Sequence, residues 1–110
     1  MAGRIEAYIH SDTVTPNKGG CLIEVTCQTS FAACTEEFID FCKKAAKLVY
    51  AYDNWENVIV NNPEAEEERK KLEEKLKEEI EITESLIMQL TPEWLLERDK
   101  TARWREGKIR

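Results

Sequence analysis

Residues 21–38, Cys21-Leu-Ile-Glu-Val-Thr-Cys-Gln-Thr-Ser-Phe-Ala-Ala-Cys-Thr-Glu-Glu-Phe38, hold a strand pattern, a break and a helix start. Cys21, Ile23, Val25 and Cys27 alternate with Glu24, Thr26 and Gln28, and Leu22 alone departs from the pattern. A period of two marks a strand with one buried face. Thr35, followed by Glu36 and Glu37, reads as a helix start. A threonine hydroxyl can accept from the first free amides, and acids favour the positive end of the helix dipole. Between strand and helix lies Thr29-Ser30-Phe31-Ala32, which leaves a bulky side chain at the break. The residues alone allow Phe31 two placements: folded back under the helix near Phe38, as most phenylalanines are, or held out at an edge.

Upstream, Ile5 to His10 also alternates, with Ile5, Ala7 and Ile9 on one face. Between the two runs, Ser11 to Gly20 is dense in turn formers, including Pro16, Asn17 and Gly19-Gly20. This predicts an antiparallel hairpin with one buried face. Downstream of Thr35, Phe38, Phe41, Cys42, Ala45, Leu48, Val49 and Tyr52 follow helical spacing, while Lys43, Lys44 and Lys47 lie off that stripe. A hairpin alone is marginal in water, so the helix is predicted to cover its apolar face.

Tyr52-Asp53-Asn54 reads as a break. Trp55 to Val60 reads as a short strand or extended connector, because Val58-Ile59-Val60 is β-branched. Asn61-Asn62-Pro63 is a boundary, with Pro63 suited to a first helical turn. From Glu64 to Leu90 the composition predicts helix: Leu72, Leu76, Ile80, Thr83, Ile87 and Leu90 form a seam near the heptad period. Glu67/Lys71 and Glu73/Lys77 flank it as i,i+4 pairs. An uncovered apolar seam seeks a partner, so the Leu72–Leu90 helix is a candidate surface for a homo-oligomer. Thr91-Pro92-Glu93 restarts a helix, with Trp94, Leu95 and Leu96 to bury. The expected fold is α+β. A small antiparallel sheet packs under one helix, followed by a long charged helix and a short C-terminal helix. All of it forms one domain, residues 1–110: a hairpin-helix core over 5–60, a helical part over 63–99 and a basic tail over 100–110.

Composition narrows the function. Of the 110 residues 42% are hydrophobic and 35% charged, and the net charge is −6. Residues 61–99 hold 13 acids against 6 bases, whereas residues 100–110 hold 5 bases against one acid. The acidic body disfavours nucleic acid, and only the short tail could meet phosphate. Apolar runs are a few residues long, far short of a membrane span, and residues 1–20 lack the apolar core of a signal peptide. Both point to a cytoplasmic protein. Cys21, Cys27, Cys34 and Cys42 stand six, seven and eight positions apart, without the close pairs that open structural zinc sites. They read as small buried thiols of a reducing compartment.

The residues supply no catalytic set. His10 is the single histidine, and nucleophilic catalysis needs a placed nucleophile and an orienter beside it. Its position at a strand end reads as structural or solvent-facing. Lys18-Gly19-Gly20 lacks the residue order of a phosphate-binding loop. Glu73-Glu74 and Glu78-Glu79 read as a solvated face, and no EF-hand pattern occurs. The expectation is a protein without bond-making chemistry, metal or cofactor.

Glu6-Ala7-Tyr8-Ile9-His10 and the run from Gly20 to Phe38 resemble translation elongation factor Ts. In that family an EAYIH-like strand leads through a short turn to GVLVEVNCETDFVARTEEF. The resemblance covers about residues 5–48 and runs weakly through Asn62-Pro63-Glu64 into the charged helix. It implies one half of that family's core, and a guanine-nucleotide exchange factor for elongation factor Tu, the GTPase that delivers aminoacyl-tRNA. In the family a Thr-Asp-Phe-Val segment presses on the nucleotide domain of Tu. Its Phe enters an apolar pocket between helices and loosens magnesium and phosphate contacts. A factor that prefers the nucleotide-free state weakens nucleotide affinity by the same ratio. Carried over, Thr29, Ser30, Phe31 and Ala32 are the partner-binding residues, with Phe31 as the inserted side chain. This chain has Ser30 where the motif has Asp, Ala32 where it has Val and Cys34 where Arg is usual, and its Ser11–Gly20 loop is longer. The alternative role is a Ts-like protein-interaction or self-associating module without exchange.

Overall fold

The computed structural model describes residues 2–90. Strands β1 (Ala2–His10) and β2 (Gly19–Cys27) form the expected hairpin, with Ala2 opposite Cys27 and His10 opposite Gly19. The intervening loop is held by Asp12, whose carboxylate accepts from the backbone of Val14 and Thr15 and from Lys18 Nζ. A short turn of helix α1 (Ser30–Ala33) precedes the long α2 (Glu36–Tyr52). Then come α3 (Trp55–Asn61), α4 (Pro63–Leu76) and strand β3 (Glu81–Gln89). The sheet is antiparallel with order β1-β2-β3, so β2 is central and the fold is α+β.

Helix α2 forms where the apolar stripe and the cap agree. Thr35 Oγ1 accepts from Phe38 N at 3.2 Å, and Glu36 and Glu37 occupy the first turn. Phe38, Phe41, Cys42, Ala45, Ala46 and Val49 are buried, and Asp53, with φ of 78°, ends the helix. They pack on Cys21, Ile23, Val25 and Cys27 of β2 in one core that also takes Val58, Ala65, Leu72 and Ile80. Burying a side chain the size of Phe38 contributes roughly 2–3 kcal/mol. Cys42 is deep enough that burial pushes its thiol up to about 12. Cys21, Cys27 and Cys42 are buried free thiols as expected, but Cys34 is exposed, at the end of α1.

Three further expectations, about the elements themselves, are corrected. The first concerns β1. Its alternation is real, but Ile5, Ala7 and Ile9 face solvent, and the polar set Arg4, Glu6, Tyr8 and His10 faces α2. Register decides this: Arg4, Glu6 and Tyr8 lie opposite Val25, Ile23 and Cys21, the face of β2 that the helix covers. The polar groups are satisfied there. Arg4 Nε donates to Glu6 Oε1 at 2.8 Å, and Tyr8 Oη bonds His10 Nδ1 at 2.9 Å beneath the stacked ring of Tyr50. His10 thus sits in a half-buried aromatic cluster at the hairpin mouth.

The second is Trp55–Val60, which is helix rather than strand. Asn54 caps it, accepting from Asn57 N at 2.8 Å, and Trp55 and Val58 are buried. Burial against α2 and α4 overrides β-branched propensity.

The third is the Glu64–Leu90 helix. It stops at Leu76, Lys77 takes a left-handed φ of 59°, and the chain returns as β3 beside β2. Arg69 and Glu73 fix the turn, because Arg69 Nη1 donates to Ile80 O at 2.7 Å while Glu73 Oε2 accepts from Ile80 N at 2.8 Å. A second partner for the central strand outweighs helical composition. The seam residues therefore part company: Leu72 and Ile80 are in the core, while Thr83 and Leu90 are exposed. No Leu72–Leu90 helix exists to mediate self-association. Trp94, Leu95, Leu96 and the basic tail lie outside the described residues. Among the described residues no helix is long and apolar enough to cross a membrane.

Candidate functional site

The break between β2 and α2 is an ordered turn built by two threonines. Thr29 caps α1, its hydroxyl accepting from Ala32 N at 3.2 Å while Ala33 N donates to Thr29 O at 3.2 Å. Thr35 closes the turn by donating from Oγ1 to Ala32 O at 2.8 Å before capping α2. Cys27 Sγ donates to Thr29 O at 3.3 Å, which ties the turn to the strand end.

Within it Ala32 points inward, 2% exposed, and Phe31 points outward, 84% exposed. Thr29 and Ser30 are exposed beside Phe31. The four residues named from the sequence are therefore contiguous, but they divide: three face solvent, and Ala32 is the anchor that seats the turn on the core. Phe31 does not fold back near Phe38. An exposed aromatic on a turn this well tied contributes nothing to the core and is free to be buried by a partner.

Glu78, in the connection between α4 and β3, holds the turn from the far side of the chain. Its Oε1 accepts from Gln28 N at 2.9 Å and Thr29 N at 3.0 Å, and its Oε2 accepts from Thr29 Oγ1. The hydroxyl of Thr29 thus accepts from Ala32 and donates to Glu78, using both of its capacities. The Thr29 hydroxyl, followed by the two amides, holds the Glu78 carboxyl below its ordinary value of 4.5. Sequence reasoning took Glu78 for part of a solvated face. The contact spans 49 positions and carries no local signal.

Ser30 introduces no carboxylate beside Phe31. Among the described residues, no group of three or more His, Cys, Asp or Glu is placed to hold a metal ion. The geometry is an exposed aromatic side chain on a turn held by hydrogen bonds from Thr29, Thr35 and Glu78.

No family model matches the chain. Over 44 residues it is 48% identical to elongation factor Ts of Rubrobacter xylanophilus, a stretch that is 40% of this chain and 20% of that protein. It is 41% identical over 73 residues to the chloroplastic elongation factor Ts of Galdieria sulphuraria, 64% of this chain and 35% of that protein. It is also 38% identical over 79 residues to elongation factor Ts of a Synechococcus species, 71% of this chain and 29% of that protein. The chain is similar to elongation factors Ts over these partial stretches, which span about a fifth to a third of the relatives' length.

Proposed function

We propose that this chain is an elongation-factor-Ts-like protein of the cytoplasm that binds the GTPase elongation factor Tu through Phe31 and promotes release of its guanine nucleotide. It makes and breaks no covalent bond. The observation that carries the reading is Phe31 itself, 84% exposed on a turn capped by Thr29 and tied down by Glu78. Partial sequence similarity to elongation factors Ts supports the choice of elongation factor Tu as the partner to test. A pre-formed turn lowers the ordering cost of binding, so most of the apolar transfer of Phe31, roughly 2–3 kcal/mol, counts toward the complex.

Exchange requires more than binding. The factor must prefer nucleotide-free Tu, and the size of that preference is the factor by which GDP affinity falls. Ser30 in place of the motif's Asp favours a second reading, binding without exchange, because a hydroxyl exerts far less field on a phosphate site than a carboxylate. The test is release of labelled GDP from elongation factor Tu on adding this protein, with Phe31→Ala as the control. Acceleration lost in Phe31→Ala supports exchange. Phe31-dependent binding without acceleration selects the second reading. Affinity unchanged by Phe31→Ala overturns both.

A further inference from the structure

Helix α2 covers one face of the sheet. The other face is apolar over two complete cross-strand rows: Ile9, Gly20 and Met88, then Ala7, Leu22 and Leu86. A third row, Ile5, Glu24 and Glu84, ends the patch in acid. Ile5, Ile9, Leu86 and Met88 are 59–80% exposed and Leu22 is 46% exposed. An apolar patch of this kind on a small domain marks an interaction surface.

We infer that a second copy of this chain covers this face, sheet against sheet, in a symmetric dimer. Two sheets pack face to face about 10 Å apart when their strands lie within about 30° of each other, and their inner side chains then share one core. A copy brings a face of the same width, row spacing and twist, and a two-fold axis lets each copy bury the same rows.

Charge selects the orientation. An axis along the strands would lay Glu24 of one copy on Glu24 of the other, like charges in a partly dried contact. An axis across the strands, between the Gly20 and Leu22 rows, reverses the strand direction instead. Ile9 then meets Ala7, Gly20 meets Leu22 and Met88 meets Leu86, large against small in the first two columns. The acidic row of each copy is carried to the hairpin-loop end of the other. That end holds Lys18, 40% exposed beside Asp12, and Leu90, 65% exposed, whose N donates to Lys18 O at 2.9 Å.

Size sets the strength. Strands lie about 4.8 Å apart and same-face residues about 6.8 Å apart along a strand, so three rows on three strands cover about 14 by 20 Å, roughly 300 Å² of flat footprint. Two such faces bury somewhat under about 1,000 Å², the weak end of specific contacts, which places the dissociation constant on the order of 10–100 μM. The Phe31 turn lies past Cys27, beyond the acidic row, so the pairing does not use it.

Sedimentation velocity of the full chain from about 5 to 500 μM reads the pairing. Monomer is expected at the low end and dimer at the high end. Association should be at least about tenfold weaker in Leu86→Lys and in Met88→Lys, and unchanged in Phe31→Ala. Leu86 and Met88 are 69% and 80% exposed in the single chain, so both lysine variants should fold, and circular dichroism checks this. If one loses its fold, the other decides. Glu84→Lys tests the axis: it weakens a dimer paired across the strands, by facing the Lys18 end, and strengthens one paired along them, by nearing Glu24. A chain that stays monomeric at the highest concentration overturns the inference. So does a dimer that keeps its strength in a folded Leu86→Lys or Met88→Lys variant, or loses it in Phe31→Ala. A dimer strengthened by Glu84→Lys overturns the proposed axis.

Discussion

The two faces of the sheet are made of similar residues and have opposite fates. Ile23 and Leu22 are neighbours in sequence and alike in size, yet Ile23 is 1% exposed and Leu22 is 46% exposed. The difference comes from what the connections deliver. The turn after β2 delivers α2 to the Ile23 side, and α4 leads back into β3 as a strand rather than as a second covering helix. On β1 the same placement buries polar side chains, and Arg4, Glu6, Tyr8 and His10 are accommodated because each has a partner within reach. Apolar patterning decides that a strand has two unlike faces. The attached elements decide which of them is covered.

The largest test of that contrast is a matched pair. Ile23→Ala should lower unfolding free energy by about 2–5 kcal/mol, the range for truncating a buried aliphatic. Leu22→Ala should cost under about 1 kcal/mol, in line with surface substitutions. Urea denaturation of both variants measures this, and similar losses would break the contrast between the faces. Phe31→Ala comes next and separates folding from binding. Stability should change by less than about 0.5 kcal/mol, while affinity for elongation factor Tu should drop by about 2 kcal/mol or more, on the order of thirtyfold. Calorimetric titration beside thermal melts reads both numbers. A loss of stability equal to the loss of affinity would show that Phe31 serves the fold.

Smaller in effect is Glu78→Gln, which weakens the clamp without touching the core. Amide exchange at Gln28 and Thr29 should quicken, and Tu affinity should fall by less than in Phe31→Ala. The pH dependence has a defined sign. The folded carboxyl lies below its ordinary 4.5, so its contribution is complete above that value and is lost as pH falls through the lower, folded one. Exchange protection that fails on raising pH from 5 to 7, after correction for intrinsic rates, would contradict the clamp. The smallest effect is expected at Asp12, which Lys18 and the Thr15 and Val14 amides hold down to about 2. Its support of the hairpin loop is present above pH 3.8 and fades toward pH 2. Asp12→Asn should leave the melting temperature nearly unchanged, and a carboxyl chemical-shift titration locates the midpoint.

The site was partly legible. The two threonines that build the turn are local signals: Thr35 with its acids marks the start of α2, and Thr29 stands at cap spacing from Ala32. The exposure of Phe31 was not legible from the residues alone, because an aromatic at a strand-helix break fits either placement. Glu78 was invisible, since nothing in a run of glutamates distinguishes the one that meets Thr29. The reading of β3 as helix failed for a related reason. Leu72 to Leu90 has a period near 3.5, but Glu81 to Gln89 can also satisfy a strand once β2 offers it a ladder.

What the sequence determined by itself is local. It set the alternation of β1 and β2, the cap and stripe of α2, the break at Asp53 and the start of α4 at Pro63. These depend on side chains within about one turn of each other, where capping, propensity and period act directly. The tertiary structure alone decided which face of β1 is buried, that Trp55–Asn61 is helix, that Glu81–Gln89 is strand, and that Glu78 holds the Phe31 turn. Each of those choices rests on a contact between distant segments, and short-range preferences of a few tenths of a kcal/mol per residue yield to the burial and hydrogen bonding such contacts bring.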